Sequence, residues 1–354
     1  MANGKTMKAV VFDGPYKVSV QDRPIPTLQD ATDIIIKVQA TALCGSELHL
    51  FRGTEPTPPG YIMGHEFVGE VVEVGSAVKS VSVGEKVVSP FTTSCDNCFY
   101  CKNGGTARCV ECRVFGTPML DGGQAEYVRV PSADTTVAKA PEDISDKALI
   151  LMADIFPTGY FGVKSAIEMS PAVDVENSTM VVVGCGPVGL CAVVAALHRK
   201  PKHLFAIDSI PSRLEIAKTL GAEPLNFATD RDSMIARIKE ATEGRGADMV
   251  VEVVGMSPAL RTAFDIVRPF GVISSIGVHS AEIPWTATEQ YDKNVRLQMG
   301  RCPVRHVFAE SLAVLKEKQE SFSFMFDKIM PLSEAPEGYD LFDKRKVQKV
   351  VFIP

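Results

Sequence analysis

Met180-Val181-Val182-Val183-Gly184-Cys185-Gly186-Pro187-Val188-Gly189 is the stretch on which the fold class turns. Its first four residues read as a buried apolar strand, the glycines as a tight turn, and Val188–His198 as a helical run. In that setting Gly184 permits the turn, Gly186 lets backbone approach a pyrophosphate, and Gly189 packs helix on strand. Pro187 and Val188 open the helix, whose N-terminus offers free N–H groups and a positive dipole end to phosphate. An acid is then expected at the end of the next strand. His203–Asp208 supplies it: Asp208 lies about twenty residues beyond the turn.

Asp208 would accept hydrogen bonds from the adenosine ribose hydroxyls and repel a 2′-phosphate, which favours NAD over NADP. Arg213, in the helical run Ser212–Leu220, is placed to reach the same ribose. Its guanidinium also leaves room for the phosphate of NADP. The plainer alternative is that Asp208 only caps a helix and Arg213 is a solvated charge.

Downstream, Asp248–Val254, Ala259–Val267 and Gly271–Ile276 continue the alternation of strand and helix. Such alternation marks a doubly wound parallel sheet. Upstream of about residue 155 the pattern differs. Lys8–Phe12, Ile34–Ala40, Glu66–Val74, Lys86–Ser89 and Ala125–Val130 are short β segments broken by Gly and Pro, as in an all-β, barrel-like module. A mixed pattern returns from Arg296 and ends in the strand-like Lys349–Ile353. The expected architecture is α/β: a discontinuous β-rich domain, 1–156 and 297–354, with a nucleotide-binding domain, 157–296, inserted into it.

A chain of 354 residues is longer than one core usually supports, which agrees with two domains. Hydrophobic residues make up 45% and charged residues 23%, an ordinary globular mix. The net charge of -6 argues against a nucleic-acid or anionic-membrane partner. No apolar stretch reaches the ~20 residues of a membrane span, and Met1–Lys8 lacks a signal-peptide core. A cytoplasmic protein is expected.

The nine cysteines call for a reason. Cys95-x2-Cys98-x2-Cys101-x7-Cys109 puts four thiolates in one short loop, at about residues 90–115, able to close a tetrahedral sphere around a structural zinc. Cys112 lies close enough in sequence to replace Cys109 as the fourth ligand. Elsewhere, Cys44 follows an apolar strand, His65 lies in Gly64-His65-Glu66, and Asp154 lies in Ala153-Asp154-Ile155-Phe156-Pro157-Thr158-Gly159. A thiolate, an imidazole and a carboxylate are the donors of a catalytic zinc with one open position. Spacing alone does not join them.

At these residues the sequence resembles the medium-chain zinc alcohol dehydrogenases. The most specific match is Gly64-His65-Glu66-x2-Gly69-x5-Gly75-x2-Val78, followed by the four-cysteine lobe, the glycine turn and Asp208 in the same order. The resemblance implies a GroES-like β-rich catalytic domain with an inserted Rossmann domain. It also implies a catalytic zinc on Cys44, His65 and Asp154, with Glu66 beside them as a supporting group or occasional ligand. Two zinc ions per chain follow. Many relatives carry cysteine where this chain has Asp154, and the Asp-Ile-Phe-Pro-Thr-Gly-Tyr run is similar to the glutathione-independent formaldehyde dehydrogenase branch. The cofactor-trapping members of that branch are longer, so NAD is expected to exchange freely here.

By the same resemblance the reaction is hydride transfer between an alcohol and NAD, a carbonyl compound being the product. Ser46 and His49 match a proton relay that runs through the nicotinamide ribose to solvent. Thr158 matches a position packed on the nicotinamide, Gly277 and Val278 the segment that contacts its amide, and Phe91 a substrate-pocket aromatic; each of these also reads as core packing. The partners implied are a small alcohol, aldehyde or ketone and a second copy of the chain, as homodimer or homotetramer. Two other readings compete: a zinc-independent reductase of an activated C=C bond or quinone, and a non-catalytic NAD-binding relative. The metal-binding residues argue against both.

Overall fold

Ile34-Ile35-Ile36-Lys37-Val38 is dense in β-branched side chains, and it forms the strand about which the first unit is organised. The computed structural model describes residues 4–170, 173–279 and 281–354. The chain divides into two units, one of residues up to Asp154 together with Pro303–Pro354, the other Ile155–Cys302.

In chain order the strands of the first unit are β1 (Thr6–Gly14), β2 (Lys17–Pro24), β3 (Ile34–Leu43), β4 (Glu66–Val74), β5 (Lys86–Ser89), β6 (Tyr127–Val130) and β7 (Ala138–Lys139). The second unit holds β8 (Thr179–Val183), β9 (His203–Asp208), β10 (Glu223–Asn226), β11 (Ala247–Glu252), β12 (Val267–Ser275) and β13 (Arg296–Met299). β14 (Ile329–Pro331) and β15 (Val350–Ile353) return to the first.

β1 and β2 form a hairpin, and the other strands of the first unit form one sheet in the order β14-β15-β3-β4-β5-β7. β6 shares an edge of β3 with β15: it pairs Ile34–Lys37, and β15 pairs Thr41–Leu43. Ile34, Ile36 and Val38 pack with Phe67, Val71, Val87 and Val128 in one core. Leu43 joins Val350, Phe352, Tyr339 and Phe51 in another.

The second unit is a six-stranded sheet in the order β10-β9-β8-β11-β12-β13, parallel throughout. Chain order reverses between β8 and β11, the switch point at which such sheets bind ligands. β8 is buried along its whole length, as expected for a central strand of a covered sheet. Val181 and Val183 pack with Met234, Ile238 and Leu260 of the helices Arg231–Ala241 and Ser257–Ile266.

Several elements of this unit escape the sequence pattern, among them the helices Ile155–Glu168 and Ala287–Lys293 and β10, and two more show why. The helix Arg231–Ala241 buries only Met234 and Ile238, too few apolar residues for a clear period, although Asp230 caps it by accepting from the Ser233 N–H at 2.9 Å. β13 reads Arg-Leu-Gln-Met and carries little β signal, yet it is the sixth strand. The expected domain boundary at 296 therefore cuts through it. Among the described residues, no helix is long and apolar enough to cross a membrane.

Candidate active site

Cys44 directly follows β3, and His65 and Glu66 stand at the start of β4, where Glu66 pairs with Ala42. Asp154 follows the 3₁₀ turn Ile150–Ala153, held by the Phe91 N–H donating to the Ala153 carbonyl at 3.0 Å. All four residues are buried, and their ligand atoms lie within 4.8 Å of one another. Cys44 Sγ is 3.4 Å and His65 Nε2 is 3.3 Å from the same oxygen, Asp154 Oδ2. Residues 110 positions apart thus meet in one cluster.

Two charged residues that sequence reasoning missed complete the surroundings. Glu47 accepts the Cys44 N–H at 2.8 Å and the His65 N–H at 3.2 Å, and its Oε1 lies 3.4 Å from His65 Nδ1. The imidazole therefore turns Nε2 toward the cluster and Nδ1 toward a carboxylate, which fixes the ring and raises its basicity as a ligand. Gln124 donates to Glu47 at 3.4 Å, and the Tyr339 hydroxyl donates to Gln124 at 2.9 Å. On the other side, Lys349 Nζ lies 2.5 Å from Glu66 Oε2 and 3.3 Å from the Leu43 carbonyl. Lys349 and Glu66 are both 0% exposed. The remaining Glu66 oxygen, Oε1, is buried without a hydrogen-bond partner among the described residues.

The electrostatics suit a cation. Burial, then Asp154 and Glu66, pushes the Cys44 thiol up from its ordinary pKa. Burial acts to lower His65, but Glu47, Asp154 and Cys44 outweigh it and hold the imidazole well above its usual value. Anionic donors crowded in a dry site retain protons, and a bound dication takes the place of those protons. Two charges from Zn²⁺ and one from Lys349 would offset three of the four negative charges offered by Cys44, Asp154, Glu66 and Glu47. Thiolate, imidazole and carboxylate are zinc donors, so the residues present fit the ion.

Ser46 Oγ lies 3.4 Å from His65 Nε2, beside the cluster. His49, on the short helix Glu47–Phe51, has the Thr54 hydroxyl 3.4 Å from its Nδ1. Both are partly exposed. The Phe91 ring meets His65 edge-on, with ring centroids 6.0 Å apart.

Four thiols converge in the lobe that begins at Cys95. Cys95, Cys98, Cys101 and Cys109 bring their sulfurs within 4.8 Å of one another, and Cys112 is not in that group. Backbone N–H groups aim at the sulfurs: Cys95 and Glu111 donate to Cys109 at 3.3 Å, and Cys98 donates to Cys95 at 3.4 Å. The N–H groups of Cys101 and Val110 bring the Cys98 thiol down to about 6, whereas burial pushes Cys109 up to about 12. A closed four-sulfur zinc fits this loop.

In the second unit, Gly184 has φ +98°, a left-handed turn open to glycine. A Cβ on Gly189 would lie 1.8 Å from the Gly184 carbonyl oxygen, so the helix Pro187–Arg199 starts hard against the turn. Asp208 has a task that the motif did not announce. Its Oδ2 accepts the Cys185 N–H at 2.7 Å, and its Oδ1 accepts from Ser209 and Ile210 at 2.7 and 2.9 Å. It thereby pins the glycine turn to the end of β9. Arg213 Nη1 stands 3.9 Å from Asp208 Oδ2. Thr158 is buried in the helix Ile155–Glu168, while Gly277 and Val278 lie just past β12.

The family pattern described as "Alcohol dehydrogenase GroES-like domain" matches residues 30–142, and "Zinc-binding dehydrogenase" matches residues 187–317. The chain is 60% identical over 352 residues to zinc-type alcohol dehydrogenase B of Aspergillus flavus, covering 99% of this chain and 82% of the relative. It is 31% identical to glutathione-independent formaldehyde dehydrogenase of Pseudomonas aeruginosa, covering 98% and 97%. Among solved structures, alcohol dehydrogenase TADH from Thermus sp. ATN1 superposes with a TM-score of 0.91 at 35% identity, covering 98% and 99%. The chain belongs to the medium-chain zinc-dependent alcohol dehydrogenases, oxidoreductases that act on alcohols.

Proposed function

We propose that the chain transfers hydride from an alcohol carbon to NAD, with a catalytic zinc on Cys44, His65 and Asp154 and a structural zinc on Cys95, Cys98, Cys101 and Cys109. The observation that carries this reading is the convergence of a thiol, an imidazole and a carboxylate, with one unpartnered carboxylate oxygen of Glu66 among them. When bound, zinc supplies a Lewis acid that lowers the pKa of an alcohol, and the dinucleotide supplies the hydride acceptor.

The protein's own groups do the rest. Glu47 orients His65 and the Cys44 backbone. Ser46, beside His65, is the first acceptor for the alcohol proton, and the partly exposed His49 passes a proton to solvent. Phe91 supplies an apolar wall next to the imidazole. A homodimer or homotetramer belongs to the same reading, since β13 ends its sheet as an edge strand.

NAD is preferred to NADP because Asp208 carries its charge where a 2′-phosphate would lie, and its Oδ2 retains an acceptor position for a ribose hydroxyl. Asp208→Asn keeps an oxygen for the Cys185 N–H and removes the charge. It turns its NH2 toward the Ser209 and Ile210 N–H groups, so the readout is the cofactor ratio and not absolute activity. Its kcat/KM ratio is expected to shift toward NADP by about tenfold, the equivalent of ~1.4 kcal/mol. An unchanged ratio would refute the role.

The broader test follows zinc-loaded protein at the NADH absorbance, with primary, secondary and aromatic alcohols and both cofactors. Two zinc ions per chain with alcohol-dependent reduction support the proposal. Failure of every alcohol with either cofactor sinks it.

A further inference from the structure

β11 and β12 end side by side at the ligand edge of the parallel sheet, with Glu252 paired to Ser275. Glu252 is 0% exposed, an ionisable residue at the end of a strand that is otherwise mostly buried and apolar. Its Oε1 accepts the N–H groups of Val254 and Gly255 at 2.8 and 2.9 Å. Its Oε2 accepts the Ser275 hydroxyl at 2.7 Å and lies 3.0 Å from His279 Nε2. Three donors are fixed, and with His279 protonated on Nε2 a fourth would complete the acceptor positions of the carboxylate. They come from both strand-end loops, so one buried side chain ties the two loops together.

The loops meet backbone to backbone: a Cβ on Gly277 would lie 2.2 Å from the Gly255 nitrogen. What they hold out is apolar, for Val254 is 41% and Val278 48% exposed. Val254 also borders the glycine turn, where a Cβ on Gly184 would come within 2.6 Å of its Cγ2. A Ser-His-acid nucleophile is excluded by geometry. Ser275 and Glu252 both face the same nitrogen, Nε2, at 3.1 and 3.0 Å, whereas a triad places them on opposite ones.

The position across the switch point indicates what the platform receives. Asp208, at the end of β9, takes the adenosine ribose, and the turn after β8 takes the pyrophosphate. A dinucleotide laid in that direction continues over β11 and β12, in strand steps of ~4.8 Å. We infer that Glu252 is a positioning residue for the nicotinamide end of the cofactor: by locking both loops it fixes Val254 and Val278 as an apolar platform for the ring. The inference rests on the dinucleotide reading given above.

The test compares NADH with ADP-ribose, which lacks the nicotinamide, by fluorescence and calorimetric titration of the zinc-loaded protein. Glu252→Gln is expected to weaken NADH about tenfold and to leave ADP-ribose within about twofold. Ser275→Ala, which removes one of the fixed donors, should weaken NADH about threefold with the same indifference to ADP-ribose. It serves where the first variant fails to fold. Equal losses for both ligands would make Glu252 merely structural, and no loss for either would remove it from the site; both results overturn the inference. A wild-type protein that binds neither ligand would overturn the dinucleotide reading itself.

Discussion

Cys44→Ala is expected to cut alcohol-dependent NADH formation by at least about 10³-fold, because a Lewis acid supplies several kcal/mol of transition-state stabilisation. Removing one of three donors also removes a negative charge from the set that would hold the dication. Zinc content should fall from two ions per chain to one, since the sulfurs of Cys95, Cys98, Cys101 and Cys109 form a separate cluster. Circular dichroism should stay native, as Cys44 follows β3 and is not part of its ladder. Turnover within tenfold of wild type, or two retained zinc ions, would show that Cys44 is no ligand.

The second large effect is on stability. Lys349→Met keeps the length of the side chain but leaves Glu66 buried beside Asp154 and Cys44 without its ion-pair partner. Breaking one half of a buried pair costs roughly 3–5 kcal/mol, a large fraction of the stability of an ordinary domain. The double variant Lys349→Met/Glu66→Gln removes both charges and should recover most of that loss, so the two substitutions will be strongly non-additive. Urea titration of the zinc-loaded proteins measures it. A midpoint unmoved in the single variant would mean that Glu66 sheds its charge at little cost.

The local features of this fold are the ones that sequence conveys. The turn at Gly184–Gly189 and the lobe from Cys95 to Cys109 are each confined to one short segment whose spacing carries its geometry. The proposed zinc donors are different in kind. Cys44 and Asp154 are 110 residues apart, and only a family resemblance could set them side by side. Lys349, read as the start of a strand, gives no local sign that it is buried, for its partner Glu66 lies 283 positions away. Glu252 sits inside what reads as one apolar strand, Asp248–Val254, and an acid at that place was itself a signal. In the sequence Asp208 presents itself as a ribose contact. Its three backbone hydrogen bonds appear only once β9 and the glycine turn are adjacent.

β3 is bonded along both edges, to β4 on one side and to β6 and β15 in succession on the other. Cys44 leaves directly from Leu43, the last paired residue of β3, so its backbone has little freedom while β15 stays bonded there. If zinc is held here as proposed, its escape is expected to require opening of this sheet, a slow class of native-state fluctuation. Exchange with isotopically labelled zinc should then follow the unfolding rate. Rapid exchange in fully folded protein would contradict that coupling.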